Sequence, residues 1–488
     1  MAGSLEKWER KWGWLVLLLA VVLCLRLPSL FEPYWYGDEG IYLAVGRAIR
    51  AGAHLYSGVH DNKPPFLYLA AALAGGSLFW FKFITLTWSL MTILVFTKLA
   101  QKVFTERSGV VKTVVWVFAL LTAIPIWEGN IANAELYFLL PTMGAAYLLW
   151  NKHPDLKKIW WAGVLLGLAG LFKMPAILEA GVWPVVWLIG HEERRGWWRK
   201  SLVLAAGVAV PIGVSILYYA AAGAGKEYFA AAWAQNLPYL STWKAGGGSG
   251  IYSLGGRLAA GVLLMIPLVI KYKSLGRKGG IIAVWGLITL FASLLSGRPY
   301  PHYLLQMAGV VALATGLLIR GERAEKAIAG TFGVLIAAAF IAFKFYVYPV
   351  TGYYVNYAQW VTGVKTKTEY FGWFNPQVNR NYEIAAEIMA GSTPHDRVFI
   401  WGDEPMIYPM AKRLPATKYI VEYHIKDFKG FRETIYSLTE QPPKYIVSFG
   451  SEEELPGLAE LLGRKYKTEK MVGNAKIFRL SAVVSWER

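Results

Sequence analysis

The run WGWLVLLLAVVLCLRLPSL, Trp12 to Leu30, is followed almost at once by YWYGDEGIYLAVGRAIRAGAHLYSGVHDNKPPFLYLAAAL, Tyr34 to Leu73. The first run has the length of a membrane span, which needs roughly 20 apolar residues. Asp38 and Glu39 stand side by side a few residues beyond it, and Lys63-Pro64-Pro65 opens the next apolar stretch. Charges placed this close to hydrocarbon are costly and by default mark a functional site. The reading of the chain turns on which side of the membrane they occupy and what they do there.

The 488 residues are 55% hydrophobic and include 22 Trp and 28 Tyr, with a mean hydropathy of +0.36. Such a composition indicates a polytopic membrane protein with aromatic residues at its interfaces. The formal net charge is +18, but the basic residues sit in short clusters between apolar runs. That pattern follows the positive-inside rule and implies no nucleic-acid partner. Cys24 is the only cysteine, which excludes an internal disulfide framework and a cysteine-ligated metal site. No small-residue cleavage pattern follows Leu30, so the first run reads as a retained anchor.

Eleven apolar runs are expected to be helical spans: Trp12–Leu30, Phe79–Leu99, Val111–Trp127, Leu136–Trp150, Ile159–Phe172, Ala176–Ile189, Leu202–Ala222, Leu258–Ile270, Ile281–Leu295, Tyr303–Ile319 and Ala327–Val347. Phe66–Ser77 is only about half a span and reads as a juxtamembrane helix. With the N-terminus inside, every cytoplasmic segment carries at least three basic residues, among them Lys98, Lys102, Arg107 and Lys112, then Lys271, Lys273, Arg277 and Lys278. Counting Phe66–Ser77 as a crossing would export the next three clusters. The outer loops then hold Asp38, Glu39, Asp61, Lys63, Glu128, Asn130, Asn133, Glu135, Lys173 and the turn SGRPYPHY, Ser296 to Tyr303. These groups are expected to converge on one outward-facing polar cavity. The glycine-rich stretch at 245–250 reads as a loop tip.

Hydropathy changes near Tyr348. We expect a transmembrane domain over 1–347 and a small extracytoplasmic α/β domain over 348–488. In the latter, Asn379–Met389 reads as a helix, RVFIWG as a buried strand and Met406–Arg413 as a short helix. KYIVSF follows as a strand, EEELPGLAELLGRKY as a helix and AKIFRL as a last strand. No Gly-x-Gly-x-x-Gly turn supports dinucleotide binding.

Several stretches, in order along nearly the whole chain, carry a family resemblance. They are LRLPSL (25–30) with YGDEGIY (36–42), NKPPFLYL (62–69), NAELYFLLP (133–141), LLGLAGLFKMPA (165–176), RPYPHYLLQM (298–307) and DRVFIWGDEPMIYPMAKRLPATKY (396–419). Together they resemble the GT-C superfamily of membrane glycosyltransferases, in the branch of protein O-mannosyltransferases and lipid A aminoarabinose transferases. Nothing in the C-terminal region resembles the sugar-binding β-trefoil of the eukaryotic mannosyltransferases. The resemblance implies transfer of a monosaccharide, with inversion, from a polyprenyl-phosphate donor to a hydroxyl of a lipid, glycan or protein acceptor.

That reaction needs a carboxylate to take the acceptor's proton and cations to meet the charge growing on the departing phosphate. The resemblance makes Asp38 the base and gives Glu39 a place beside it, orienting the base or binding sugar. It gives Lys63 a contact to donor phosphate. Arg298, with its forked guanidinium, and His302 and Tyr303 suit phosphate oxygens, and Lys173 adds positive charge. Glu135, Asn133 and Asp61 are assigned to sugar or acceptor. Asp38 and Glu39 would equally suit a helix N-terminus, and Arg26 reads as a snorkelling residue. His54 and His60 lack a third ligand at metal-site spacing. No cofactor is assigned, and a Mg²⁺ or Mn²⁺ ion on Glu39 or Glu135 is left open. The alternatives are a non-catalytic protein that binds lipid-linked sugars and a transporter. A transporter would favour mid-bilayer charges and duplicated halves. The expected location is the plasma membrane, with the site and C-terminal domain on the extracytoplasmic face.

Overall fold

A computed structural model describes residues 2–105, 108–190, 193–236 and 249–481. Arg107 and the glycines at 246–248 lie outside the described residues. The described residues are mostly helical, with one small sheet among them near the C-terminal end.

The elements run in order α1 (Ala2–Arg26), α2 (Gly37–Arg50), α3 (Phe66–Leu73), α4 (Leu78–Val103), α5 (Ser108–Ala123), α6 (Ala134–Leu149), α7 (Leu156–Gly170), α8 (Val182–Ile189) and α9 (Trp197–Ala221). They continue with α10 (Gly225–Phe229), α11 (Leu254–Ser293), α12 (Ala308–Arg320), α13 (Arg323–Ala342), α14 (Val350–Val361), α15 (Lys367–Gly372), α16 (Gln377–Ala390) and β1 (Arg397–Trp401). The last part comprises α17 (Ile407–Ala411), β2 (Leu414–Pro415), α18 (Glu422–Asp427), α19 (Phe431–Glu440), β3 (Tyr445–Ser448), α20 (Leu458–Lys465), β4 (Tyr466–Val472) and β5 (Ala475–Leu480).

Two compact units emerge. One contains residues 1–29, 85–220 and 233–350; the other contains 30–84, 221–232 and 351–488. The segment that carries Asp38 and Lys63 therefore belongs to the same unit as the C-terminal sheet.

The expected apolar runs are helical over most of their length, but α5 ends at Ala123 and α13 at Ala342, short of the expected Trp127 and Val347, and the run from Ala176 begins as a 3₁₀ turn before α8. Among the described residues, six helices are long and apolar enough to cross a membrane, and three apolar helices are shorter. The runs Leu258–Ile270 and Ile281–Leu295 fall on α11, whose 40 residues are far more than one crossing requires. The helix breaks at Gly276, where φ is 65° and ψ is 166°. Glycine alone tolerates that conformation easily, because it has no Cβ. The Arg257 guanidinium donates to the Leu295 carbonyl at 3.0 Å, so the two halves double back on each other. Where helices meet, small residues let backbones approach, as lipid offers no hydrophobic drive for association. A Cβ on Gly163 of α7 would lie 2.9 Å from the Gly207 Cα of α9.

In the second unit the five strands lie in the order β2-β1-β3-β5-β4. β1 runs parallel to β2 and β3, and β5 is antiparallel to β3 and β4. Val398 to Trp401 and Tyr445 to Ser448 are all buried, as befits central strands covered on both faces. β4 is not among the strands expected from the sequence. Its charged sequence YKTEKMV is that of an edge strand. It pairs with β5 across a turn at Gly473, where φ is 59°. In the same unit α2 packs closely on α3 and α17. A Cβ on Gly46 would fall 2.6 Å from the Ala72 nitrogen, and one on Gly40 would fall 2.7 Å from the Met406 nitrogen.

Candidate functional site

Asp38 is the second residue of α2 and keeps 35% of its side chain exposed. Its Oδ2 accepts from the Tyr42 hydroxyl one turn on, at 2.8 Å, and lies 3.6 Å from the Lys63 ammonium. The Lys63 Nζ also sits 4.9 Å from the centre of the Tyr42 ring. The backbone around Lys63 is held by two phenols. Its N–H donates to the Tyr68 hydroxyl at 3.0 Å, and its carbonyl accepts from the Tyr56 hydroxyl at 2.8 Å.

Glu39 points elsewhere, as consecutive helical residues must. It is 2% exposed, and its carboxylate lies 3.3 Å from the ammonium of Lys82, itself 1% exposed. Lys82 also pairs with Glu32 at 2.6 Å. The expected contact between Glu39 and sugar does not fit this burial.

Asp61 is also buried. It accepts from the Tyr68 hydroxyl at 2.7 Å and from the Asn62 N–H at 2.7 Å, and its Oδ1 lies 3.4 Å from the His424 Nε2. Both oxygens thus face groups of the protein, which revises the sugar or acceptor reading of Asp61. The residue instead braces the loop that carries Lys63. His60 beside it donates its backbone N–H to the Lys418 carbonyl at 2.9 Å and packs on Phe428 with ring centres 4.2 Å apart. Burial, then the proximity of His424 and Lys418, lowers the His60 pKa to about 2. Burial also lowers the His424 pKa, with the Asp61 charge opposing.

The first unit assembles another polar group. Glu128, buried and in the left-handed region (φ 57°), ends the turn Pro125–Trp127. Its Oε2 meets the His302 Nδ1 at 2.5 Å and accepts from the Asn133 amide at 3.4 Å. Glu135, in the first turn of α6, forms an ion pair with Lys173. The Lys173 ammonium lies 4.2 Å from the Tyr303 ring centre, and the rings of Tyr303 and His302 are 4.5 Å apart. Five expected residues, Asn133, Glu135, Lys173, His302 and Tyr303, therefore form one connected network with Glu128. Arg298 lies in the adjoining turn, where its N–H donates to the Ser296 hydroxyl at 3.4 Å.

Arg26 corrects the snorkelling expectation. It is buried and donates to the Thr122 carbonyl at 3.0 Å and the Gly129 carbonyl at 2.5 Å. It thereby satisfies a carbonyl left over at the C-terminal end of α5 and pins the residue after Glu128. Sequence reasoning misses Glu32 and Lys82 altogether. A lysine inside the apolar run Phe79–Leu99 is itself the available signal, since such residues are rare without a partner. Among the described residues, no three His, Cys, Asp or Glu side chains are grouped so as to hold a metal ion. Glu39 and Glu135, the two reserved for such an ion, each face a lysine.

No protein-family model matches the sequence, and no curated protein does. Among solved structures the chain is similar to ArnT from Cupriavidus metallidurans bound to undecaprenyl phosphate, at 16% identity and a TM-score of 0.62, over 98% of this chain and 100% of that one. The apo state of the same protein matches at 16% identity and a TM-score of 0.60, over 96% of this chain and 97% of that one. At this identity the likeness shows the fold. It is the fold of ArnT, a lipid A aminoarabinose transferase of the GT-C class, which is the branch that the sequence motifs resemble.

Proposed function

We propose that the chain is an inverting glycosyltransferase that moves a monosaccharide from a polyprenyl phosphate to a hydroxyl group at the extracytoplasmic membrane surface. The observation that carries the reading is the pairing of the partly exposed Asp38 carboxylate with the Lys63 ammonium at 3.6 Å. It places a proton acceptor beside a cation suited to phosphate. The fold shared with a protein solved on undecaprenyl phosphate supports it.

In the proposed step the acceptor oxygen attacks the anomeric carbon and gives its proton to Asp38. The bond from that carbon to the phosphate oxygen breaks, and its electron pair leaves with the polyprenyl phosphate, whose growing charge Lys63 stabilises. Donor phosphate competes with Asp38 for Lys63, so that donor binding loosens the ion pair that occupies the base. Tyr42, bonded to Asp38 and stacked under Lys63, holds both in register. Burial, followed by the Asp38 charge, holds the Tyr42 pKa well above 10, so its hydroxyl remains a donor. Arg298, His302, Tyr303 and Lys173 carry the phosphate role that the sequence resemblance implies, whereas Glu135 and Asn133, as buried as Glu39 and Asp61, serve the network around Glu128 and Lys173 rather than touch sugar.

The test is turnover of polyprenyl-phosphate sugars by purified protein. Wild type is expected to release polyprenyl phosphate. Asp38→Asn is expected to bind donor without turnover, and Lys63→Ala to lose donor affinity as well as rate. Equal turnover by wild type and Asp38→Asn would remove Asp38 as the base.

A further inference from the structure

We propose that Glu39, Lys82 and Glu32 form a buried electrostatic clamp that fixes the azimuth of α2, making Glu39 a positioning residue for Asp38 rather than a group that touches sugar. The inference rests on the reading of Asp38 as the base.

Three charged side chains are withdrawn from solvent together. Lys82 lies 2.6 Å from Glu32 and 3.3 Å from Glu39, and all three residues are buried. Burying ions is costly unless each is paired and hydrogen-bonded. Glu32 meets that condition through three donors: Lys82, the Trp35 indole N–H at 2.8 Å and the Tyr353 hydroxyl at 2.6 Å. Burial and then the Glu32 charge hold the Tyr353 pKa well above 10, so its phenol stays protonated and donates. Lys82 stands in the second turn of α4, near the positive end of the helix dipole, where a cation is disfavoured. Its place there is explained by the two carboxylates it serves.

The consequence for the base is geometric. Successive residues on a helix are turned by about 100°. Anchoring Glu39 to one side therefore sets the direction in which Asp38 projects. Gly40 continues the constraint by lying against the Met406 backbone. The first turn of α2 is thus gripped at three consecutive residues: Asp38 by Tyr42 and Lys63, Glu39 by Lys82, and Gly40 by Met406. Only Asp38 among them retains a substantially exposed side chain.

Four variants, Glu39→Gln, Lys82→Met, Lys82→Arg and the double Glu39→Gln/Lys82→Met, test the clamp by steady-state turnover and thermal unfolding. Carbodiimide modification of Asp38, followed by mass spectrometry, adds a readout that needs no turnover. Lys82→Met is expected to lower kcat about 100-fold, the scale of an ångström-sized misplacement, with KM for donor within about twofold of wild type. Lys82→Arg restores most of the loss. The double variant recovers activity relative to Lys82→Met, because one of the two carboxylates left facing each other is gone. Asp38 modification changes in Lys82→Met and returns toward wild type in the double.

Glu39→Gln as inactive as Asp38→Asn, alongside a fully active Lys82→Met, would show that Glu39 touches the reacting groups and would overturn the clamp. So would effects of the two substitutions that simply multiply. If wild type transfers no sugar, the functional reading fails, and the clamp is then decided by unfolding and Asp38 modification. Non-additive shifts in the double variant support it, and additive ones refute it.

Discussion

A single methyl group at Gly40 gives a sharp test of how the base is held. In Gly40→Ala the new Cβ would fall 2.7 Å from the Met406 nitrogen, 3.0 Å from its Cα and 3.2 Å from its Cβ. Ordinary contact begins at 3.4 Å, so α2 must withdraw by about 0.7 Å or push α17 away. Overpacking of this kind costs about 1–3 kcal/mol. A displacement approaching 1 Å at a catalytic group costs up to about 100-fold in rate. We therefore expect kcat to fall about 10- to 100-fold, accompanied by a lowered Tm. Gly37→Ala is the control within the same turn. Nothing lies within 4 Å of a Cβ there, and alanine favours a helix over glycine, so Tm should hold or rise. The assay is turnover and thermal unfolding of both variants in one detergent. A fully active Gly40→Ala would refute the argument that α2 is seated against Met406 to place Asp38.

The His60 imidazole is buried neutral, with its pKa depressed to about 2 from an ordinary 6.5. Between those values the unfolded chain binds the extra proton, so stability rises with pH and is lost as pH falls below about 6.5, by at most about 1.4 kcal/mol per pH unit. His60→Phe should flatten the decline in Tm from pH 7 to pH 4, and an unchanged slope would contradict the assignment. Arg26→Met leaves the Thr122 and Gly129 carbonyls without their donor and should destabilise the protein by about 1–3 kcal/mol, seen as a lower Tm; no change would mean that Arg26 does not hold the turn. Sidedness is read by cysteine labelling after replacing Cys24, which is exposed, with Ser. Cysteines at positions 38 and 298 should both react with an impermeant maleimide from the extracytoplasmic side, and labelling from opposite sides would exclude the proposed enzyme.

Much of the helical architecture is legible because bilayer thickness dictates the length of apolar runs. The turn at Gly276 is legible for a related reason: basic residues on both sides of it disqualify that segment from hydrocarbon. Asp38 and Lys63 stand out as charges beside spans, and the structure brings them together. What stays hidden depends on partners distant in sequence. Asp61 resembles an open-site acid until His424, from the far end of the chain, is found beside it. Lys82 disappears into a hydropathy average, though its charge is what holds Glu39. β4 escapes because YKTEKMV buries only its two ends, so it shows neither an apolar run nor the alternation that marks a strand.

The most direct measurement supplies purified wild type with an acceptor and a polyprenyl-phosphate sugar labelled with ¹³C at the anomeric carbon, and follows that carbon by NMR. A new glycosidic bond of inverted configuration is expected, formed in step with release of polyprenyl phosphate. A retained configuration would contradict Asp38 as a base in a single displacement. A donor signal that never changes, whatever the sugar or acceptor supplied, would contradict glycosyl transfer itself.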